Sequence, residues 1–348
     1  MKSIVTGTFQ PKNLIEEILL WLRRASATNR ALTILGGAML ITFLATLVGI
    51  FVDHRVITGV PAWLKPAKFA ISVSVYSFTF VWLLGFVENR QRLVRVLGNV
   101  TVVSIVVEMI VIITQAARGT TSHFNQTTAL NTSLWFAMGA FIVIVWTMNL
   151  LLAGVLIMQR MTDRAFAWSL RLGLLISAIG MAVAFFMVTP TPEQAKALAG
   201  HGPHIVGAHS VGVADGGPGL PILGWSTVGG DLRVAHFVGL HALQILPFFG
   251  WLLTRRRRFF ALFNANDRLS LVWTLGVGYL GLVVLLAWQG LRGQSVVHPD
   301  VKTIAAASAL AASAAISTLI TLTGIFIRNR KTRVLASAIQ ILTHQENV

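Results

Sequence analysis

Residues 31–52 read ALTILGGAMLITFLATLVGIFV, a run without a single charge. A bilayer core demands about 20 apolar residues in a helix, because a helix carries its backbone N–H and C=O groups through hydrocarbon already hydrogen-bonded. The same signal returns at 65–87, 96–117, 132–158, 166–189, 233–254, 269–290 and 303–327. The expected fold is therefore an all-α polytopic membrane protein with eight transmembrane helices. Composition agrees. Of 348 residues, 55% are hydrophobic and 11% charged, with a mean hydropathy of +0.73, a balance foreign to soluble globular chains.

The net charge of +16 would suggest nucleic acid in a soluble protein, but the placement of the charges argues against it. Arg90, Arg92 and Arg95, then Arg160 and Arg164, then Arg255 to Arg258 with Arg268, and finally Arg328, Arg330, Lys331 and Arg333 fall between apolar runs. An even number of spans puts both termini on one side, which holds 20 of the Lys and Arg residues against 8 on the other. By the positive-inside rule both termini are cytoplasmic, in the cell membrane. There is no cysteine, so disulfides, thiolate metal sites and cysteine nucleophiles are excluded. The first apolar run follows a charged stretch and is read as retained, not cleaved.

The chain divides into a cytoplasmic segment 1–30, a first membrane half 31–160, a second half 161–328 and a cytoplasmic tail 329–348. Within 1–30, Pro11 opens a helix whose Leu14, Ile15, Ile18, Leu19 and Leu22 share one face, the pattern of a helix lying along the inner leaflet. The second half contains a long connection, 190–232, rich in Gly and Pro and lacking helical periodicity. It is expected to be an extracytoplasmic loop folded over the bundle.

Two short patterns recur. Leu64-Lys65-Pro66-Ala67-Lys68-Phe69 opens span 2, and Leu232-Arg233-Val234-Ala235-His236-Phe237 opens span 6, a register that sets Tyr76 opposite Gln244. Gln115-Ala116-Ala117-Arg118-Gly119, followed by His123, ends span 3; Gln289-Gly290-Leu291-Arg292-Gly293, followed by His298, ends span 7. The order is the same in both halves, so spans 1–4 and 5–8 read as two parallel four-helix repeats. In such architectures the site lies at the interface between halves.

At 100° per residue, Lys65, Lys68, Ser72, Tyr76 and Thr79 share an arc of span 2, Thr101, Ser104, Glu108, Gln115 and Arg118 one of span 3, and Arg233, His236, His241 and Gln244 one of span 6. Polar groups are costly against lipid, so the stripes should face inward. With ~1.5 Å of rise per residue, Glu108 and His241 reach similar depth, a pair placed to share a proton at the floor of an outward-facing cavity. The cationic mouth would attract a small anionic or polar solute. Binding and translocation of such a solute is the leading reading. Lys65, Lys68, Arg118, Arg233 and Arg292 would coordinate it, with Tyr76, Glu108, Gln115, His123, His236, His241, Gln244, Gln289 and His298 completing the site.

Eight of the nine histidines, all but His344, map to the outer half, among them His54, His201, His204 and His209. This supports an alternative, a redox protein holding haem b or a transition metal through His123, His236, His241 and His298. His236 and His241 are rotated about 140° apart on one helix, so each would need a partner elsewhere. Catalysis is less supported. Glu108 is solitary, Ser122-His123 is only a sequence-neighbour pair, and an enzyme acting on a lipid or isoprenoid headgroup is the third class. Small residues on span 8 (Ala306, Ser308, Ala312, Ser313, Ser317, Thr321) read as a close packing face. The implied partners are the lipid bilayer and a small anionic or polar ligand, without nucleic acid; a homo-oligomer stays open.

Overall fold

The computed structural model describes residues 14–197, 204–255 and 262–345. It opens with α1 (Leu14–Thr28) and α2 (Arg30–Val52), followed by a small hairpin of β1 (Val56–Ile57) and β2 (Val60–Pro61). Then come α3 (Leu64–Leu84), α4 (Gln91–Ala117), α5 (Ala129–Met158) and α6 (Arg164–Ala182), the last continued by the single turn α7 (Ala184–Met187). After α8 (Pro192–Ala197), β3 (Ser210–Val211) and β4 (Gly230–Asp231), the chain ends with α9 (Leu232–Arg255), α10 (Ala265–Leu291) and α11 (Val301–Gln345). Among the described residues eight helices are long and apolar enough to cross a membrane: α2, α3, α4, α5, α6 with α7, α9, α10 and α11. The protein is a multi-pass membrane protein.

Several helices begin a turn earlier than the apolar windows because polar residues cap them. Thr128 accepts from Asn131 N, Asp163 from Phe166 N, and Asn264 with Asp267 forms a reciprocal capping box. Helix α11 also continues well past 327, through most of the stretch expected as a separate tail. Apolarity marks the lipid slab, whereas a helix goes on in water while its backbone bonds are made, and here Arg328 pairs with the Asp267 carboxylate of α10.

The tightest contact joins α6 and α9. A Cβ on Gly180 would lie 2.5 Å from Gly239 Cα, and one on Gly173 would lie 2.9 Å from the ring of Pro247. Only glycine permits so close a backbone approach. Elsewhere Gly36 of α2 seats the Phe78 ring of α3. Helix α11 is the most open span, resting on α10 through Ser270–Thr321 and Thr274–Ser317 hydroxyl pairs of 2.9 and 2.7 Å. The packing face expected on span 8 is thus half realised. Ser317 and Thr321 meet α10, whereas Ser308, Ala312 and Ser313 are exposed. On α1, Leu14, Ile15, Ile18 and Leu19 are all exposed, as an interfacial face requires; Pro11 lies outside the described residues.

The long connection folds across one end of the bundle, hereafter the loop-rich end. Gln126 N donates to His204 O, Val206 N to Phe124 O, Ala208 N to Met187 O and Leu232 N to His209 O, while β3 and β4 pair antiparallel. It is held to the helices by main-chain bonds in both halves of the chain. Residues 198–203, and with them His201, lie outside the described residues.

Candidate functional site

Under this cap the N-terminal ends of α3 and α9 meet the loop that follows α4. The Lys65 ammonium donates to His123 Nδ1 at 3.0 Å, and the Ser122 hydroxyl lies 3.0 Å from the same nitrogen. Both neighbours are donors, so Nδ1 is the bare nitrogen of His123. The ring is boxed by Phe69, Phe124 and Trp135, with Trp135 5.5 Å away between centroids. Burial pushes the His123 imidazole well below the usual histidine range, and the Lys65, His209 and His236 charges act in the same direction.

His209 of the cap approaches within 6.4 Å of His123, ring centre to ring centre. Its Nδ1 meets the exposed Asp215 carboxylate at 2.7 Å, and Asp215 also accepts from the backbone of His209 and Ser210. Burial lowers the His209 imidazole and outweighs the opposing pull of Asp215. For Asp215, burial works upward, but the His209 side chain and the two backbone donors hold its carboxyl below the usual range.

The cap is fastened by cations. Lys68 donates to Leu223 O at 3.1 Å, and Arg233 donates to Gly224 O at 2.5 Å. Arg233 also clamps the buried Asp231 carboxylate, Nε at 2.9 Å and Nη2 at 2.6 Å. The same clamp occurs between Arg55 and Asp53, where the Trp63 indole joins at 2.8 Å. His236 donates from Nδ1 to Gly180 O at 2.8 Å, across the glycine contact of α6 and α9. Lys65 is within electrostatic reach of Arg233, Lys68, Glu108 and Asp215.

Deeper in the bundle lie polar atoms with no hydrogen-bond partner: Tyr76 Oη, Glu108 Oε2, Ser177 Oγ and Gln244 Oε1. At ~1.5 Å per residue they sit roughly 13–18 Å from the loop-rich ends of their helices, near the middle of a ~30 Å core. Gln244 Nε2 donates to Thr79 Oγ1 at 3.3 Å. Tyr76 packs in the same apolar cluster as Ile105 and Met109, which flank Glu108 on α4, and Leu240 of α9. Thr101 Oγ1 and Asn149 Oδ1, nearer the opposite end, are unpartnered as well. Unsatisfied polar atoms in an interior cost about 1–3 kcal/mol each, a cost that water or a polar guest would relieve.

The expected stripes are therefore sorted. On α4, Thr101, Ser104, Glu108 and Gln115 are buried as anticipated, but Arg118 is exposed, donating to Gln115 Oε1 and Asn131 Oδ1 at 2.7 and 3.0 Å. Ser72 is exposed on α3. His241 is exposed on α9 and does not meet Glu108, so the expected pair is not formed. With His236 turned inward to Gly180, the 140° rotation carries His241 outward.

Arg292 and His298 form a separate feature. Arg292 pairs with Asp300 and lies 4.3 Å from the Trp288 ring centroid, and His298 Nδ1 is 3.2 Å from Thr227 O. Both line an open cleft of about 520 Å³ with Gln294 and Ser295. Gln289 is buried and donates to Ser295 O at 2.8 Å. The four histidines of the metal alternative are accordingly not brought together, and among the described residues no three His, Asp or Glu side chains are grouped to hold a metal ion.

Sequence reasoning passed over His209, Asp215, Ser122 and Asp231 as site members. Asp231 carried a readable signal, since Asp-x-Arg occurs at both 53–55 and 231–233. Asp215 carried none, because its role depends on how the loop folds. The chain matches no family model, no curated protein and no solved structure.

Proposed function

We propose that the protein binds a small anionic or polar solute at the Lys65–His123 layer beneath the cap and passes it across the plasma membrane through the polar middle of the bundle. The observation that carries this reading is the state of Lys65 and Lys68. Both ammonium groups are half-buried beneath the cap, and among the described residues neither has a carboxylate partner; their bonds go to an imidazole and a carbonyl. Half-buried cations without a carboxylate in direct contact are costly, and a visiting anion would offset that cost. Lys65, Lys68, His123, Arg233 and His236 form the mouth. Tyr76, Glu108 and Gln244 line the next layer, while Gln115 and Gln289 brace the turns. Arg118, His241, Arg292 and His298 stand apart from this path.

We also infer that the two halves are parallel copies and that both termini are cytoplasmic. The ends of α4 and α10 support the first point. Arg118 and Arg292 cap them with φ of −76° and −77°, and Gly119 and Gly293 follow with φ of +72° and +71°. Gln115 Nε2 donates to Thr121 O and Gln289 Nε2 to Ser295 O, each six residues on. A shared cap with a left-handed glycine and a shared side-chain brace is more than apolar composition demands. The orientation rests on the Lys and Arg imbalance.

The test uses acetate, bicarbonate and inorganic phosphate on the purified protein, read by Trp fluorescence, since the Trp135 ring lies beside His123, and by thermal unfolding. At least one of the three should give a saturable signal and raise the Tm beyond a chloride control of equal ionic strength. Lys65→Gln should weaken that binding ten-fold or more. Absence of any specific anion effect, or unchanged affinity in the variant, overturns the reading.

A further inference from the structure

The cationic layer has bulk water on one side and an unpartnered carboxyl on the other. Asp215 is exposed, bonded to His209, whose ring faces His123; His123 is bonded to Lys65, and Lys65 is within electrostatic reach of Glu108. Glu108 is 7% exposed and its Oε2 has no hydrogen-bond partner. Among the described residues it is also the one carboxyl in the interior of a span, the other acidic residues there lying in loops, caps, first turns or outside the spans.

We propose that the proton is the coupling ion of the solute site, that Glu108 carries it, and that it passes between Glu108 and bulk water through Lys65, His123, His209 and Asp215. The inference rests on the solute-binding reading above, to which it adds the ion and its route. Two links are direct, 2.7 Å between His209 and Asp215 and 3.0 Å between His123 and Lys65. The step between His123 and His209, at 6.4 Å between ring centres, and the step between Lys65 and Glu108 are not direct contacts and run through intervening water. In release, Lys65 takes the Glu108 proton as it gives one to the bare Nδ1 of His123, His123 gives its Nε2 proton toward His209, and His209 gives its Nδ1 proton to the Asp215 carboxylate, which passes it to bulk water. The net change is one carboxylic acid converted to carboxylate and one proton delivered to bulk water, and uptake is the reverse.

The groups suit the task. Burial holds both imidazoles below the usual histidine range, so near neutral pH each has one N–H and one bare nitrogen and can accept at one end while donating at the other. On Glu108, a proton at Oε2 removes a buried charge that nothing else satisfies. The ionisable groups facing this route are few. From α3 come Lys65, Lys68 and Tyr76; from α9, Arg233 and His236; from the cap, His209 and Asp215. Helix α5, packed along α4, has no Asp, Glu, Lys, Arg, His or Tyr, and α2 has only Arg30 at its far end. The route therefore has no competing internal proton acceptor at the depth of Glu108. His241, exposed on α9, plays no part.

The experiment is infrared difference spectroscopy on the full chain in liposomes after a pH jump, with no solute present. Wild type should show a carboxylic-acid C=O band that forms on acidification, and Glu108→Gln should lack it. In His123→Gln and in Asp215→Asn, the latter an exposed cap position expected to fold, the band should persist but form at least ten-fold more slowly. A band that survives Glu108→Gln, or formation at the wild-type rate in both relay variants, overturns the proposal. Failure here is separable from failure of the solute site. The anion response of the preceding test would then remain intact in wild type and vanish in Lys65→Gln, with no Glu108 band to accompany it.

Discussion

Asp231 shows what a single buried carboxylate does in this molecule. It is 2% exposed, clamps Arg233 and accepts from Ser226 N at 2.8 Å, so one side chain fixes the start of α9, the cap loop and a cation of the site. Removing one partner of a buried pair leaves the other charge uncompensated and costs about 3–5 kcal/mol. Asp231→Asn should therefore lower thermal stability clearly in a melting experiment. Asp53→Asn, whose Arg55 partner is about half exposed, should change it little, since exposed pairs contribute little. Equal effects of the two substitutions would refute this ranking. Individual residues were legible from sequence where their chemistry is costly in lipid. Glu108, Gln115 and Lys65 announced themselves, whereas Asp215 is an ordinary loop aspartate until the chain brings His209 to it.

Helices α6 and α9 form the element pair on which the site depends. Their approach at Gly180 and Gly239 has no room for a side chain, and the carbonyl of Gly180 receives His236. Gly180→Leu should force the helices apart, at about 1–3 kcal/mol or more, and release His236 from its bond. The expected signs are a lower Tm together with loss of the anion response, whereas Gly37→Leu, on a helix surface where a Cβ meets nothing within 4 Å, should fold and respond as wild type. A Gly180→Leu protein that keeps both properties would show that the contact is not needed. Helix existence was readable from apolar runs, whereas helix starts fell up to a turn earlier, at caps such as Asn264. Helix rotation was not. The arc drawn for span 6 gathers Arg233, His236, His241 and Gln244, but the glycine contact turns His236 inward and leaves His241 on the surface.

For the molecule as a whole, the capped end should make stability depend on pH. His123 and His209 are both held below the ordinary histidine value of 6.5, so the unfolded chain binds protons that the folded chain refuses. Their contribution is fully present above 6.5 and is lost as pH falls toward the folded values of the two rings. Asp215 acts later. Its carboxyl lies below the ordinary 3.8, so its contribution is intact above that value and is lost only as pH falls through the folded one. The Tm should decline as pH is lowered from 7 to 5, and His123→Gln should flatten that decline. A Tm that is constant or rises over this interval would contradict the burial of the two imidazoles.

Local physics settled the eight membrane helices and the inward polar face of α4. Apolar length and polar cost are properties of neighbouring residues and need no knowledge of the rest of the chain. The composition of the site was a long-range matter. Lys68 meets Leu223, Gln244 meets Thr79 and His209 meets His123 only because a glycine contact fixes one helix rotation and a loop closes over two halves. Arg118 and Arg292 show the same limit from the other side. Both end a span, yet each finds partners near that end, Gln115 and Asn131 for one and Asp300 for the other, and so never enters the interior.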